Sequence, residues 1–417
     1  MMAMASSDFT SSAETSGTWL EVFITFFKLG CTSFGGPVAH LGYFHKELVE
    51  RRRWLSDAHY AQLLAVCQFL PGPASSQLGF ALGLTRAGWR GAISAFVGFT
   101  LPSALVLFLV AGLITSVEGD WLTSVIHGLK LVAVVIVTDA VWGMAQKLCQ
   151  TWLTRAIALM VASGLLLITF MDGVALGVSV ALTQILMILL AAVVGFILKP
   201  SVEAQASALL TLNYGRKLGS IFLLLFTLLL LLTLPVLNQY DVLVMARDFY
   251  QAGALVFGGG HVVLPLLESS TVAVGHLTNE AFLAGYGAAQ AVPGPLFTFA
   301  AYLGALVPAG ATPALQALVA TMAIFLPGFL LLLGVLPFWA QLSEKVAVRQ
   351  ALVTVNAAVV GLLLATLVTP VISSSIVNAW DLAVAVGGLM LLRKWHWPPL
   401  AVVFFCVVSI MLIYSFT

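Results

Sequence analysis

Gln68, Pro71, Gly72 and Pro73 stand in the middle of an apolar run, a setting in which an amide, two prolines and a glycine each carry a cost. Proline removes a backbone N–H and blocks the preceding turn, and glycine accepts positive φ, so a helix containing them must break. The helix that resumes after the break presents unpaired N–H groups with about half a positive charge, which is a ready anion site. A plain kink would give the same residues, because Pro and Gly are common in membrane helices. Recurrence favours the site. Gln290, Pro293, Gly294 and Pro295 restate the motif (290 − 68 = 222), and Gly30, Phe34, Gly35 and Gly36 return as Gly253, Phe257, Gly258 and Gly259 (253 − 30 = 223). Gln68 and Gln290 would donate amide hydrogens to an oxyanion, while the paired glycines let backbone approach the same centre.

Intramembrane charges are the next candidates, since each costs about 2.5–3.5 kcal/mol on insertion scales. Lys28 precedes the first glycine motif by two residues and is expected to face the anion; Lys130 is the second such cation, and snorkelling to an interface is the alternative for both. Their repeat partners are Gln251 and Val355, so substrate charge would be met mainly by the first copy. Glu21, Asp139 and Glu268 are the carboxylates available for proton coupling, and His40 and His261 could form a relay, although each is also explained as a polar residue near an interface. Asp139 lies half a turn out of phase with Lys130 and cannot pair with it. Arg51, Arg52, Arg53, Arg86 and Arg90 form a basic rim confined to the first copy, either topological or able to steer an anion to a mouth. Cys31, Cys67, Cys149 and Cys406 have no metal-ligand spacing, so neither a metal nor a disulfide is expected.

These residues require apolar helices to position them. With 61% hydrophobic and 8% charged residues and a mean hydropathy of +1.06, the chain is a polytopic membrane protein. No aromatic and basic face points to nucleic acid, and no phosphate-cradling loop points to ATP or another cofactor. The first eighteen residues have neither a basic start nor an apolar run and read as a disordered tail rather than a signal. Spans are expected near 19–42, 59–85, 91–116, 122–145, 156–171, 174–198, 218–238, 249–268, 281–307, 314–340, 350–372, 378–392 and 398–416. The repeat offset then divides the chain into 1–18, a first repeat over 19–198, a cytoplasmic loop and linker helix over 199–240, and a second repeat over 241–417. An odd number of elements between equivalent positions turns the copies upside down. The fold expected is therefore all-α, with two inverted homologous repeats joined by a linker transmembrane helix and with broken or re-entrant helices.

An inside amino terminus makes most Lys and Arg cytoplasmic, leaving Arg247 and the cluster of Lys46 with Arg51 to Arg53 as exceptions. That cluster returns inside if 19–42 and 59–85 are both re-entrant, turning at the Gly35-Gly36 and Pro71-Gly72-Pro73 breaks; the alternative is one real exception to the rule. Irregular backbone at membrane depth is tolerated where it lines a cavity.

Phe27-Lys28-Leu29-Gly30 running into Phe34-Gly35-Gly36-Pro37, the Leu55-Ser56-Asp57 stretch, Gln68-x-x-Pro71-Gly72-Pro73 and their counterparts together resemble the chromate ion transporter family of bacterial inner-membrane proteins, in its long two-domain form. The resemblance covers 19–416. It implies multi-pass insertion in the inner membrane, export of chromate from the cytoplasm, chromate resistance, and sulfate as the isosteric competitor. Gly260 replaces Pro37 and Gln251 replaces Lys28 in the second copy, which sets a symmetric two-site mechanism in doubt. The residues alone reach only a secondary transporter for a small anion, a homodimer being compatible with them. Sulfate or other oxyanion import is the alternative within transport, and a membrane enzyme or scaffold the alternative outside it. An enzyme would need clustered nucleophiles, bases or metal ligands at membrane depth, and the chain offers none.

Overall fold

The computed structural model describes residues 17–34, 36–116, 120–170, 180–200, 214–232, 241–256, 262–343 and 345–416, and no strand occurs among them. In the first copy α1 (Trp19–Thr32) is followed by α2 (Gly36–Phe44), which runs into a π-helical stretch at His45–Arg51; α3 (Asp57–Phe69), α4 (Ala74–Ser116), α5 (Asp120–Leu148), α6 (Trp152–Phe170) and α7 (Val180–Leu198) follow. After α8 (Arg216–Leu231), the second copy comprises α9 (Val242–Leu255), α10 (Val263–Thr271), α11 (Asn279–Ala291), α12 (Phe299–Leu306), α13 (Pro313–Val335), α14 (Trp339–Ser343), α15 (Val346–Thr366), α16 (Ser373–Ser375), α17 (Ala379–Arg393) and α18 (Pro399–Phe416). Helices long and apolar enough to cross a bilayer include Thr123–Leu148, Pro313–Phe338 and Val346–Ser375. The protein is an all-α membrane protein of two inverted repeats with broken helices.

Local chemistry sets the breaks. α1 and α3 have 14 and 13 residues, about 20 Å of helix, too little for the ~30 Å hydrocarbon core. α1 ends where Ser33 turns extended, and α3 ends at Leu70, also extended, just before Pro71. Gly72 sits at φ +114° and its repeat mate Gly294 at +109°, values open to glycine alone without strain. The long α4 is two helices joined at Ala87 and Gly88, and Gly88 (φ +61°) matches Gly310 (φ +74°), which separates α12 from α13. Even the caps recur: Ser56 accepts from His59 N–H at the start of α3, and Thr278 accepts from Ala281 N–H at the start of α11.

Both broken segments of the first copy begin and end on one face. Gly17 N–H donates to Arg86 O at 3.0 Å. Glu21 accepts from Trp54 Nε1 at 3.1 Å and from Arg86 Nη2 at 3.3 Å, and the Arg86 guanidinium lies 5.2 Å over the Trp54 ring. The chain thus leaves this face at residue 19, is back at 54, and is back again at 86, the path expected of two hairpins rather than two crossings.

Contacts between the copies come in reciprocal pairs, the mark of a two-fold relation. Gly72 N–H donates to Val256 O at 2.7 Å and Gly294 N–H to Ser33 O at 3.0 Å, and Val256 is the repeat mate of Ser33. A Cβ on Gly72 would stand 3.0 Å from Gly328 Cα, and one on Gly294 would stand 2.8 Å from Ser103 Oγ, again equivalent positions. The ends of α1 and α9 and the Gly72 and Gly294 breaks therefore meet at the repeat interface.

Candidate functional site

Around that meeting point the N–H groups of Gly72 and Gly294 are engaged, each donated to the opposite copy. The donors left over lie at the start of α4. Its first internal hydrogen bond runs from Gln77 N–H to Pro73 O at 2.9 Å, so the N–H groups of Ala74, Ser75 and Ser76 come ahead of the helical ladder at its positive end. Side chains at the same place are polar and buried: Ser75, Ser76 and Gln77 are 3%, 3% and 0% exposed. Gln77 Nε2 donates to Pro71 O and to Gly328 O, both at 2.9 Å, tying the first break to α13 of the other copy. Ser33 Oγ, Ser76 Oγ, Gln77 Oε1, Thr100 Oγ1 and Gln290 Nε2 are buried without a hydrogen-bond partner. Orphaned buried polar atoms cost about 1–3 kcal/mol each. Of these, Ser76 and Gln77 stand in the first turn of α4 and Ser33 is joined to it through His40, so a polar ligand there would gain what the protein alone forgoes.

His40 joins two of the breaks. Its Nε2 lies 3.2 Å from Ser33 O and its Nδ1 lies 3.4 Å from Ser75 Oγ. Ser33 O can only accept, so Nε2 carries the hydrogen, and in the neutral ring Nδ1 accepts from the Ser75 hydroxyl. Ser33 O receives Gly294 N–H as well, which places His40 against one of the two reciprocal contacts.

A second feature opens between α1 and the α2 π-helical extension: a cavity of about 490 Å³ lined by Lys28, Lys46 and Arg51 together with Thr25, Thr32, Tyr43, Glu47 and Glu50. Glu47 accepts from Arg52 Nε at 2.7 Å and Arg51 Nη1 at 3.0 Å. Partial burial works against its charge, but those hydrogen bonds hold its carboxyl below the usual value. Among the described residues neither Lys28 nor Lys46 has a carboxylate within salt-bridge distance, and with Arg51 they face Glu47 and Glu50, so the lining carries one more positive than negative charge, one helical turn from the α1 break.

The remaining sequence candidates are distributed as follows. Gly36 opens α2 at φ +75°. Pro71, Gly72 and Pro73, and Pro293, Gly294 and Pro295, form the breaks. Gln68 is exposed on the last turn of α3, away from the buried cluster, whereas Gln290 is half-buried with its amide nitrogen orphaned. Lys130 is buried, with Nζ 3.8 Å from Glu280. Glu21 is committed to Arg86 and Trp54, Asp139 lies 3.7 Å from Arg393, and Glu268 is half-buried on α10. Gly35, Gly258, Gly259 and His261 lie outside the described residues. Gln77, Ser33, Ser75, Ser76 and Thr100 escape sequence reasoning because their repeat mates are not the same residues. Gln77 answers to Phe299 and Ser33 to Val256, so a search for recurrence passes over them. Polarity inside the apolar segment that resumes at 74 is the signal that could have found them. Among the described residues no group of three His, Cys, Asp or Glu is placed to hold a metal.

Two homologous inverted repeats whose broken helices converge between them have the architecture of the inverted-repeat class of transporters. Residues 20–196 and 243–411 each match the sequence profile of the chromate transporter family, and the chain belongs to that family. It is 31% identical over 319 residues to the "Probable chromate transport protein" of Synechococcus elongatus, covering 76% of this chain and 75% of that protein. It is 29% identical over 350 residues to the "Chromate transport protein" of Pseudomonas aeruginosa (83% and 79% covered) and 28% identical over 346 residues to that of Cupriavidus metallidurans (82% and 80%). No solved structure matches the chain.

Proposed function

We propose that this protein exports chromate from the cytoplasm across the bacterial inner membrane and so confers chromate resistance. The observation that carries the reading is the cluster of orphaned polar atoms at the start of α4, held between the reciprocal breaks of a chain whose relatives are named as chromate transport proteins. A tetrahedral dianion would enter past Lys28 and Lys46, then exchange water for the N–H groups at 74–76 and the hydroxyls of Ser33 and Ser76. Reaching them requires the Gly294 to Ser33 contact to loosen, so binding and opening are linked. In this reading 19–198 and 241–417 are the repeat units and 199–240 carries the linker helix.

Support for export comes from the entrance. The face to which residues 19, 54 and 86 return carries Lys46 and Arg51 to Arg53, and positive loops stay cytoplasmic. A thiol placed at the exposed Ser56, in a background without native cysteines, is expected to resist membrane-impermeant reagents from the periplasm; labelling from that side would reverse the orientation. Cells producing the protein should accumulate less labelled chromate than cells without it, and higher accumulation would establish import. Sulfate shares charge and shape with chromate, so its import is the second reading. Sulfate is expected to slow chromate flux, and flux of labelled sulfate in the opposite direction would establish that second reading instead.

A further inference from the structure

Trp142, Trp152, Trp395 and Trp397 are exposed by 55%, 79%, 55% and 46%, at the ends of α5, α6, α17 and α18. Lys147, Arg155, Arg393 and Lys394 lie among them. Exposed tryptophans interleaved with cations at helix ends belong at the headgroup level of a bilayer, where the ring's apolar body and polar edge are both satisfied. Two of these helix ends are joined directly. The Arg393 guanidinium lies 5.0 Å over the Trp142 ring and its Nε is 3.7 Å from Asp139, fastening the end of α17 to α5.

Beside Trp142, which forms part of its wall, α5, the start of α6 and the end of α15 line an open cavity of about 660 Å³. Its lining is of two kinds. Gln146, Gln150 and Arg155 are polar, while Val141, Leu364 and Leu367 are not. Arg155 Nε donates to Cys149 O at 3.0 Å, which fixes the guanidinium. Its two terminal nitrogens meet no carboxylate among the described residues, in contrast to Arg393, Arg51 and Arg52. A planar fork of free donors matches the two unesterified oxygens of a phosphodiester. A dissolved oxyanion would use the fork and leave the leucines idle. A phospholipid uses both, with its phosphate on Arg155 and the start of an acyl chain along Leu364 and Leu367.

We propose that this cavity is a binding site for an anionic phospholipid, with Arg155 as the headgroup anchor. On the positive-inside orientation it opens to the cytoplasmic leaflet, whose surface potential is negative. The site sits apart from the α4 cluster and does not depend on what the protein transports.

The test uses the full chain in nanodiscs of phosphatidylcholine alone or with phosphatidylglycerol, reading retained lipid by native mass spectrometry and stability by thermal unfolding. The wild-type protein is expected to retain phosphatidylglycerol selectively and to unfold at higher temperature in its presence. Arg155→Gln should retain about fivefold less, as expected for loss of one cation at an anionic surface, and unfold as the wild type does in phosphatidylcholine alone. Equal retention by both proteins would overturn the proposal. Inorganic phosphate added to the phosphatidylcholine discs should change nothing; stabilisation that vanishes in Arg155→Gln would assign the site to free phosphate and overturn the lipid assignment. If Arg155→Gln does not fold, Gln150→Glu places a carboxylate on the cavity wall while sparing the bond to Cys149. It must also lower phosphatidylglycerol retention, and unchanged retention would overturn the proposal equally.

Discussion

At the break of the first copy Gly72 lies at φ +114° and at the break of the second Gly294 lies at +109°; at the following bends Gly88 and Gly310 lie at +61° and +74°. Around these matching backbones the side chains part company. The first copy carries Ser33, His40, Ser75 and Gln77 where the second carries Val256, Val263, Phe297 and Phe299. Its entrance has Lys28 where the second has Gln251, and its hairpin ends are tied by Glu21, Trp54 and Arg86 where the second has Val244, Leu277 and Pro308. Duplication kept the geometry, which must stay matched for the reciprocal contacts to form. Polar chemistry is concentrated on one side, because burying a second set of hydroxyls and amides in an apolar interior would cost stability with no second ligand to satisfy them.

The largest effects are expected at the shared backbone. Gly72→Ala and Gly294→Ala each put a Cβ on a left-handed residue, within 3.0 Å of Gly328 Cα and 2.8 Å of Ser103 Oγ respectively. Strain of about 1–3 kcal/mol falls on each reciprocal contact. Both variants should lose chromate flux by roughly tenfold or more in inverted vesicles normalised to inserted protein. Wild-type flux in either would show that the contact is a passive kink.

Next in size is the asymmetric amide. Gln77→Leu deprives Pro71 O and Gly328 O of a donor, at about 1–3 kcal/mol for a group left unpaired. Flux should fall by about tenfold, whereas Phe299→Leu at the matching position should cost ~1 kcal/mol of packing and leave flux within about twofold. Equal flux losses would erase the functional difference between the copies.

The entrance gives a smaller and more specific effect. Lys28→Gln should raise the KM for chromate and flatten its dependence on ionic strength, since a steering charge acts through a screened field. Gln251→Ala should change neither. Lys28→Arg keeps the charge with a different donor geometry and should retain partial activity. Smallest is Glu21→Gln, which weakens a partly exposed tie to Arg86 and should lower stability by about 0.2–1 kcal/mol in thermal unfolding, with transport per inserted molecule unchanged.

By itself the sequence determined the duplication, the helical class, the places where helices must break and the family. Each of these rests on strong local signals: identical residues at a fixed offset, long apolar runs, and Pro and Gly whose backbone limits hold in any context. What surrounds the breaks was decided by the tertiary structure. Pairing of Gly72 with Val256 and of Gly294 with Ser33 joins residues far apart in the chain, and no local propensity encodes it. Those contacts consume the glycine N–H groups that the motif alone offers to an anion and leave the N–H groups in the first turn of α4 ahead of the helical ladder. The same packing leaves Gln68 exposed and buries Gln77, nine residues on, because the segment turns at the break between them. Which of two glutamines enters the core follows from the direction the chain takes after Pro73, and that direction is fixed by the other copy packed against it.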